Sequence, residues 1–384
     1  MHYGEGKLMV ILLRLPTLML LLAVLGLGCS SPRESTSGLP VYENPAVANA
    51  SAWPAPVAKA TLQTELKPLP LEVGVVVFEE GIRNPDARDA RDKLRSVETR
   101  LAATYLRDVL TESGQWGAVR VLPAASHFAA LTLSGAIVHS DGRHFVVDIK
   151  AIDATNRVWL DERFHSQVTA NDYLDSTTEP FRALFVAIAS RLRVAADNLA
   201  PTDMSRLMNV ADLRYAKELA PDAFSSYLTE ENGYLKPNRL PADSDPMMAR
   251  IARIRNQEAL FIDTVDEQYV DLGSELGSTY RLWRRSSLEQ ADYLEEYTER
   301  ASGRELMARQ GSFAAMQQVY SAYRSVRIQE QDLFELATGF DNETAPTVLQ
   351  MGENVVRLSG TLDEQYAQWR RILGQLIAIE QGSL

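Results

Sequence analysis

Two strand-like runs, LTLSGAIVHS (131–140) and RHFVVDIKAID (143–153), flank the dipeptide Asp141-Gly142, and no other feature restricts the fold of this chain so strongly. The primed two-residue turns that join antiparallel strands need positive φ, which Asp and Gly tolerate, so the pattern predicts a tight β-hairpin. Phe145, Val147 and Ile149 alternate with Val146, Asp148 and Lys150, which puts one face in a core and leaves the other partly wet. A second turn, DATNR (153–157), leads into a further strand, VWLDERF (158–164).

The segments on either side complete a domain. LEVGVVVF (71–78) is a short β-branched run suited to a strand buried on both faces. Leu94, Val97, Leu101, Tyr105 and Val109 recur every three or four residues and predict a helix that stops at Ser113-Gly114. AVRVL (118–122), closed by Pro123, reads as a strand. In PFRALFVAIASRL the stripe of Phe181, Leu184, Phe185, Ile188 and Leu192 reads as a helix. Residues 71–199 are therefore expected to form an α+β or α/β domain, a mixed sheet with flanking helices.

The order of these phrases resembles a known group: a VxVxxF-like strand, a helix, a strand near GQWGAVRV, the glycine-bearing LTLSGAIV and DATNRVWL. It is similar to the α/β domain shared by the curli-secretion lipoprotein, TolB N-terminal-like domains and outer-membrane activators of penicillin-binding proteins. The resemblance spans residues 71 to 164. Some members of that group form a pore through long amphipathic hairpin insertions, whereas the turn here is tight, which argues against a pore.

Residues 1–28 read as a lipoprotein signal peptide: Lys7 and Arg14, then an uncharged run from Leu15 to Gly28 that ends in small residues. That run is shorter than the roughly 18–20 apolar residues needed to span a bilayer. LGLGCS (25–30) resembles a bacterial lipobox, in which a small residue precedes a cysteine that is diacylated. Here Gly26 stands where the family prefers Leu. The resemblance implies a lipid anchor at Cys29, with acyl chains such as palmitate in the bilayer at ~0.8 kcal/mol per buried methylene. Ser30, rather than Asp, implies outer-membrane sorting with the folded part facing the periplasm. Cys29 is the only cysteine, so no disulfide is expected.

Residues 29–70 are expected to be the lipidated N-terminus and a proline-rich linker, with seven prolines from Ser30 to Pro70 and no apolar periodicity. A free coil of ~40 residues would extend ~35 Å. Tyr42 and Trp53 read as incidental aromatics. The chain carries −12 overall, and the signal holds Glu5, Lys7 and Arg14, a net +1, leaving −13 for the remainder. That balance disfavours nucleic acid.

From residue 200 to 384 the texture is that of an all-α helical bundle, with long segments near 247–301, 304–338 and 344–381. YRLWRR, YRSVRI and YAQWRR place Tyr280, Tyr323 and Tyr366 at 43-residue intervals, with Trp283 and Trp369 in register with Val326, and Arg284, Arg327 and Arg370 in register with one another. Two readings stay open. In one, the aromatics are core and the arginines solvated. In the other, Tyr280, Trp283, Arg284, Tyr323, Arg327, Tyr366, Trp369 and Arg370 form a repeated surface for a partner, since Trp, Tyr and Arg dominate interaction hot spots.

No nucleophile elbow, phosphate loop, HExxH or CxxC is present. His139 and His144 bracket the Asp-Gly turn without a third ligand fixed by spacing, so solvated side chains are expected rather than a metal site. The pairs Glu79-Glu80 and Asp363-Glu364 point to diverging directions and read as solvated charge. The expectation is a non-enzymatic outer-membrane lipoprotein without a cofactor, an envelope accessory or scaffold that binds protein partners. The alternatives are a regulator of a peptidoglycan synthase, or a subunit or pilot of a secretion or surface-appendage machine.

Overall fold

The computed structural model describes residues 53–81, 90–175, 177–303, 308–343, 348–351 and 354–380. The signal segment, Cys29 and Tyr42 lie outside them.

Strand β1 (Val73–Val76) is the centre of the parallel half of the sheet. It pairs with β2 (Val119–Leu122) on one side and β3 (Leu131–Ser140) on the other. The connection to β2 runs through helix α1 (Ala90–Glu112), as a parallel pair requires. Val97, Leu101 and Val109 are buried as their spacing demands, and Gly114 takes φ 62° just beyond the helix end. β3, β4 (His144–Asp153) and β5 (Val158–Gln167) follow antiparallel, so the order is β2-β1-β3-β4-β5. This is the expected mixed sheet with flanking helices. Helix α2 (Arg182–Asp197) lies against it, with Phe181, Leu184, Phe185, Ile188 and Leu192 all at 0–1% exposure.

Gly135 has a packing role. A Cβ there would come within 2.6 Å of the Phe78 ring, so the bare strand makes room for an aromatic. Near the end of β3 the register shifts between Ile137 and His139. In a regular strand His139 would share the core face with Ile137. The bulge turns it instead to the opposite face, opposite Val146.

Residues 53–70, expected as free linker, lie on the domain. Val57 N–H donates to the His165 carbonyl of edge strand β5 at 2.8 Å, Leu69 N–H to the Gln115 carbonyl at 2.9 Å, and Arg193 to the Lys67 carbonyl at 2.8 Å. Proline fixes the extended backbone that such a strap needs. The opposite edge, β2, is covered by a carboxylate: Asp266 accepts the Val121 N–H at 3.0 Å. Both edges of the sheet thus meet a partner, which removes a template for strand addition.

Next come α3 (Pro201–Leu219), the short α4 (Pro221–Phe224), and the hairpin of β6 (Leu228–Glu231) and β7 (Tyr234–Pro237). Helix α5 (Pro246–Gly303) has 58 residues and is roughly 87 Å long at 1.5 Å per residue. It is followed by α6 (Ala308–Glu343), a hairpin of β8 (Val348–Met351) and β9 (Asn354–Arg357), and α7 (Leu362–Glu380). The region is helical as expected, with two short hairpins inserted, and the third helical segment begins at Leu362 rather than near 344. Asn232 and Gly233, at φ 53° and 83°, form the turn of the first hairpin.

The helices and the sheet share one contiguous core, in which Leu276, Tyr280 and Trp283 of α5 join the strand residues. The Asp-Gly turn is a fastening point. Gly142 has φ 74°, and a Cβ there would fall inside van der Waals contact with the Arg284 carbonyl of α5. Gly142→Ala is expected to cost about 2–4 kcal/mol, from the left-handed backbone and the displaced helix together. Chemical denaturation against the parent checks this, and a change under 1 kcal/mol would contradict the close approach.

Candidate functional site

The 43-residue repeat resolves into chemistry at two of its three copies. Each motif places Tyr and Arg four residues apart, hence on one face of a helix. On α5, Tyr280 Oη donates to Glu98 Oε1 at 2.6 Å. Arg284 Nη1 donates to Glu179 at 2.9 Å and its Nη2 lies 3.7 Å from Glu98. On α7, Tyr366 Oη and Arg370 Nη1 donate to Glu258 Oε1 at 2.9 and 2.8 Å, and Tyr215 Oη donates to Oε2 at 2.6 Å. Glu98 is 1% and Glu258 0% exposed, so each motif is a clamp on a buried carboxylate. Arg284 also lies over the rings of Phe145, Phe181 and Tyr280, at 4.8, 4.5 and 4.3 Å.

These positions bear out the core reading for the aromatics of two copies, correct its solvated arginines, and overturn the repeated surface. Tyr280, Trp283, Arg284, Tyr366 and Trp369 are buried at 1–6% and present no surface, because the helices that carry them pack on the sheet and on each other. Arg284 is not solvated either, since it neutralises Glu98 and Glu179. Arg370 is half-buried and also reaches Glu218. Only the middle copy faces outward: Tyr323 is 48% exposed, and Arg327 donates to Glu330 on its own helix at 2.8 Å.

Charge at the clamps is held firmly. Burial would lower the pKa of Arg284, but Tyr280 and the carboxylates of Glu179 and Glu98 outweigh it and hold the guanidinium above its ordinary value. Burial, reinforced by Glu258, raises the phenols of Tyr215 and Tyr366. For Glu218, burial acts upward but contacts with His127 and Arg370 prevail and lower it. Glu364, expected as solvated charge, closes a capping box on α7: it accepts the Thr361 N–H at 3.0 Å, while its own N–H lies 3.4 Å from Thr361 Oγ1.

The hairpin end carries a second polar cluster. The β3 bulge brings His139 onto the same face as His144 and His165, either side of Val146, and Trp53 of the strap lies over all three rings with centroids 4.8, 5.4 and 5.3 Å away. The face expected to be wet is therefore covered at this end, and Val146 is fully buried. His165 Nδ1 is 2.9 Å from the Pro54 carbonyl, which only accepts, so that nitrogen carries the proton. The other ring nitrogen of His165, Nε2, lies 3.0 Å from His144 Nδ1. Asp141 accepts the backbone N–H groups of Arg143 and His144 at 2.9 and 2.7 Å and lies 2.9 Å from His139 Nε2. Burial raises the Asp141 carboxyl, but these partners prevail and hold it at about 2. Trp53 was read as incidental, because nothing local in the sequence links it to residues that far along the chain.

His144 is the imidazole that the cluster disfavours in its charged form. Burial lowers the His144 pKa from 6.5, and neighbouring His165, His139 and Arg143 add to this against the opposing pull of Asp141. Above pH 6.5 folded and unfolded states are both neutral at this group. As pH falls below 6.5 the unfolded chain gains a proton first, so stability declines through the window down to the lowered folded value. The fluorescence difference between the parent and Trp53→Phe is expected to change between pH 7.5 and 5, with its midpoint below 6.5. A flat difference signal would contradict the coupling of strap to histidines.

Among the described residues no group of three or more His, Cys, Asp or Glu side chains is arranged to hold a metal ion. No described helix is long and apolar enough to cross a membrane. The arrangement can fix charge, fasten the strap and respond to acid, and none of its groups is an activated nucleophile. No protein-family model matches the sequence, and no curated protein is significantly similar to it.

Proposed function

We propose that this chain is a non-catalytic, lipid-anchored accessory of the bacterial outer membrane, tethered through acylated Cys29, whose folded part binds protein partners in the periplasm. The observation that carries the reading is the disposition of its polar groups. The buried ionisable side chains of both clamps are spent on one another, while large apolar side chains of α6, Phe313 and Tyr320 at 65% and 64% exposure, are turned to solvent. A catalyst keeps a reactive group accessible, whereas a binding protein keeps an aromatic face. LGLGCS supplies the anchor in this reading, and the resemblance of residues 71–164 to envelope lipoproteins agrees with it.

Two measurements test it. Metabolic labelling with a clickable fatty acid is expected to mark the parent and not Cys29→Ala, and equal labelling would sink the anchor. A photocrosslinking residue at position 320, in intact cells, is expected to capture a discrete product that the same probe at exposed Val194 does not; identical patterns would remove the binding role of α6.

A further inference from the structure

Helix α6 carries two apolar faces. Val326 and Leu333 are buried at 6% and 0%, whereas Phe313, Met316, Tyr320 and Tyr323 are exposed at 65%, 38%, 64% and 48%. The exposed set is spaced 3, 4 and 3 residues apart, the a/d seam of a coiled coil with no partner helix on it. We propose that this seam binds a second copy of the chain, through twofold pairing of the α5/α6 hairpins.

Charge is what selects the occupant. From Ala308 to Gln329 the chain holds Arg309, Arg324 and Arg327 and not one carboxylate, within a protein of net charge −12. The end of α5 is the reverse: Glu289, Asp292, Glu295, Glu296 and Glu299 precede its next cation, Arg300. Four residues join α5 to α6, so the acidic turns and the aromatic, cationic turns lie at the same end of one hairpin. Glu289, Asp292 and Glu295 remain 42%, 48% and 60% exposed even with Arg285 and Arg143 beside them. A twofold axis places α6 of each copy against α5 of the other, so the basic aromatic seam meets the acidic helix twice with one geometry. Stacking α6 on α6 alone would oppose Arg324 and Arg327 to themselves. A four-helix arrangement buries the tyrosines and phenylalanine, which are the residue types that anchor interfaces.

The proposal rests on the accessory reading, naming a second copy as the occupant of its aromatic face, and does not use the anchor. Sedimentation equilibrium of the full-length chain in detergent is expected to show a monomer–dimer equilibrium at micromolar concentration, weakened at 500 mM salt. Phe313→Glu and Tyr320→Glu are each expected to weaken it at least tenfold while leaving the melting temperature unchanged, since both side chains are exposed in the monomer. In a Cys29→Ser background, a mixture of Tyr320→Cys and Asp292→Cys chains is expected to form an oxidative heterodimer across α6 and α5, which reports proximity even where a Glu variant melts early and whether or not position 29 is acylated. A monomer at all concentrations, a dimer untouched by both Glu variants, or no crosslink through position 320 would each overturn the proposal. Failure of fatty-acid labelling would leave these results unchanged and strike only the anchor.

Discussion

Arg370→Met is expected to lower the unfolding free energy by about 3–5 kcal/mol, a large part of the roughly 5–15 kcal/mol that holds a domain together. The cause is Glu258. That carboxylate is 0% exposed, and without Arg370 it keeps only phenolic donors, from Tyr215 and Tyr366. A buried charge that loses its counter-charge costs more than the pair contributed, because desolvation is no longer offset. One signature separates this from mere loss of packing. Adding Glu258→Gln should recover part of the loss, since the amide carries no charge. Urea denaturation of the parent, Arg370→Met and the double variant reads the result; an additive loss would refute the clamp.

Trp369→Ala is expected to cost about 3–5 kcal/mol, the usual range for emptying a fully enclosed aromatic site. Trp369 is 1% exposed and stacks on Phe261 at 5.9 Å, beside Tyr366, which stacks on the same ring at 5.9 Å. The cavity would open between α5 and α7, where both helices are held by the same carboxylate. Tyr323→Ala offers the contrast within one motif: it is expected to change stability by no more than about 0.5 kcal/mol, the usual limit for a surface site. Equal losses at 369 and 323 would mean that the copies are equivalent, against their burial.

Much of the α/β part was legible because its signals are local. Asp141-Gly142 between alternating strands, the 3–4 spacing on α1 and α2, and the glycine after α1 all report on neighbours a few residues away. Asn232-Gly233 carried an equally local hairpin signal inside EENGY, and the helical texture around it masked it. The clamps were half visible. The spacing of Tyr and Arg could be read, but their acceptors, Glu98 and Glu258, lie 182 and 108 residues away from the tyrosines they bind. No periodicity ties such pairs, so burial could not be distinguished from display. The histidine cluster depended on one bulge in β3, an extra residue that alternation alone does not reveal and that reverses the face of His139.

The strap along β5 also decides how the molecule bears load. Tension entering from the N-terminal side first meets Trp53 and Pro54 at the histidines, then the hydrogen bond from Val57, the ion pair of Lys59 with Asp172, the Gln63 and Lys67 carbonyls that accept from Gln115 and Arg193, and the Leu69 N–H that donates to the Gln115 carbonyl. Only after these does it reach β1, the middle strand of the parallel half. The contacts sit in series, so a pull on residue 53 is expected to open them one after another, like a peeled seam, before it loads the sheet. Because the outermost fastening lies against His144, whose pKa burial lowers, acid and force act on the same end of that seam.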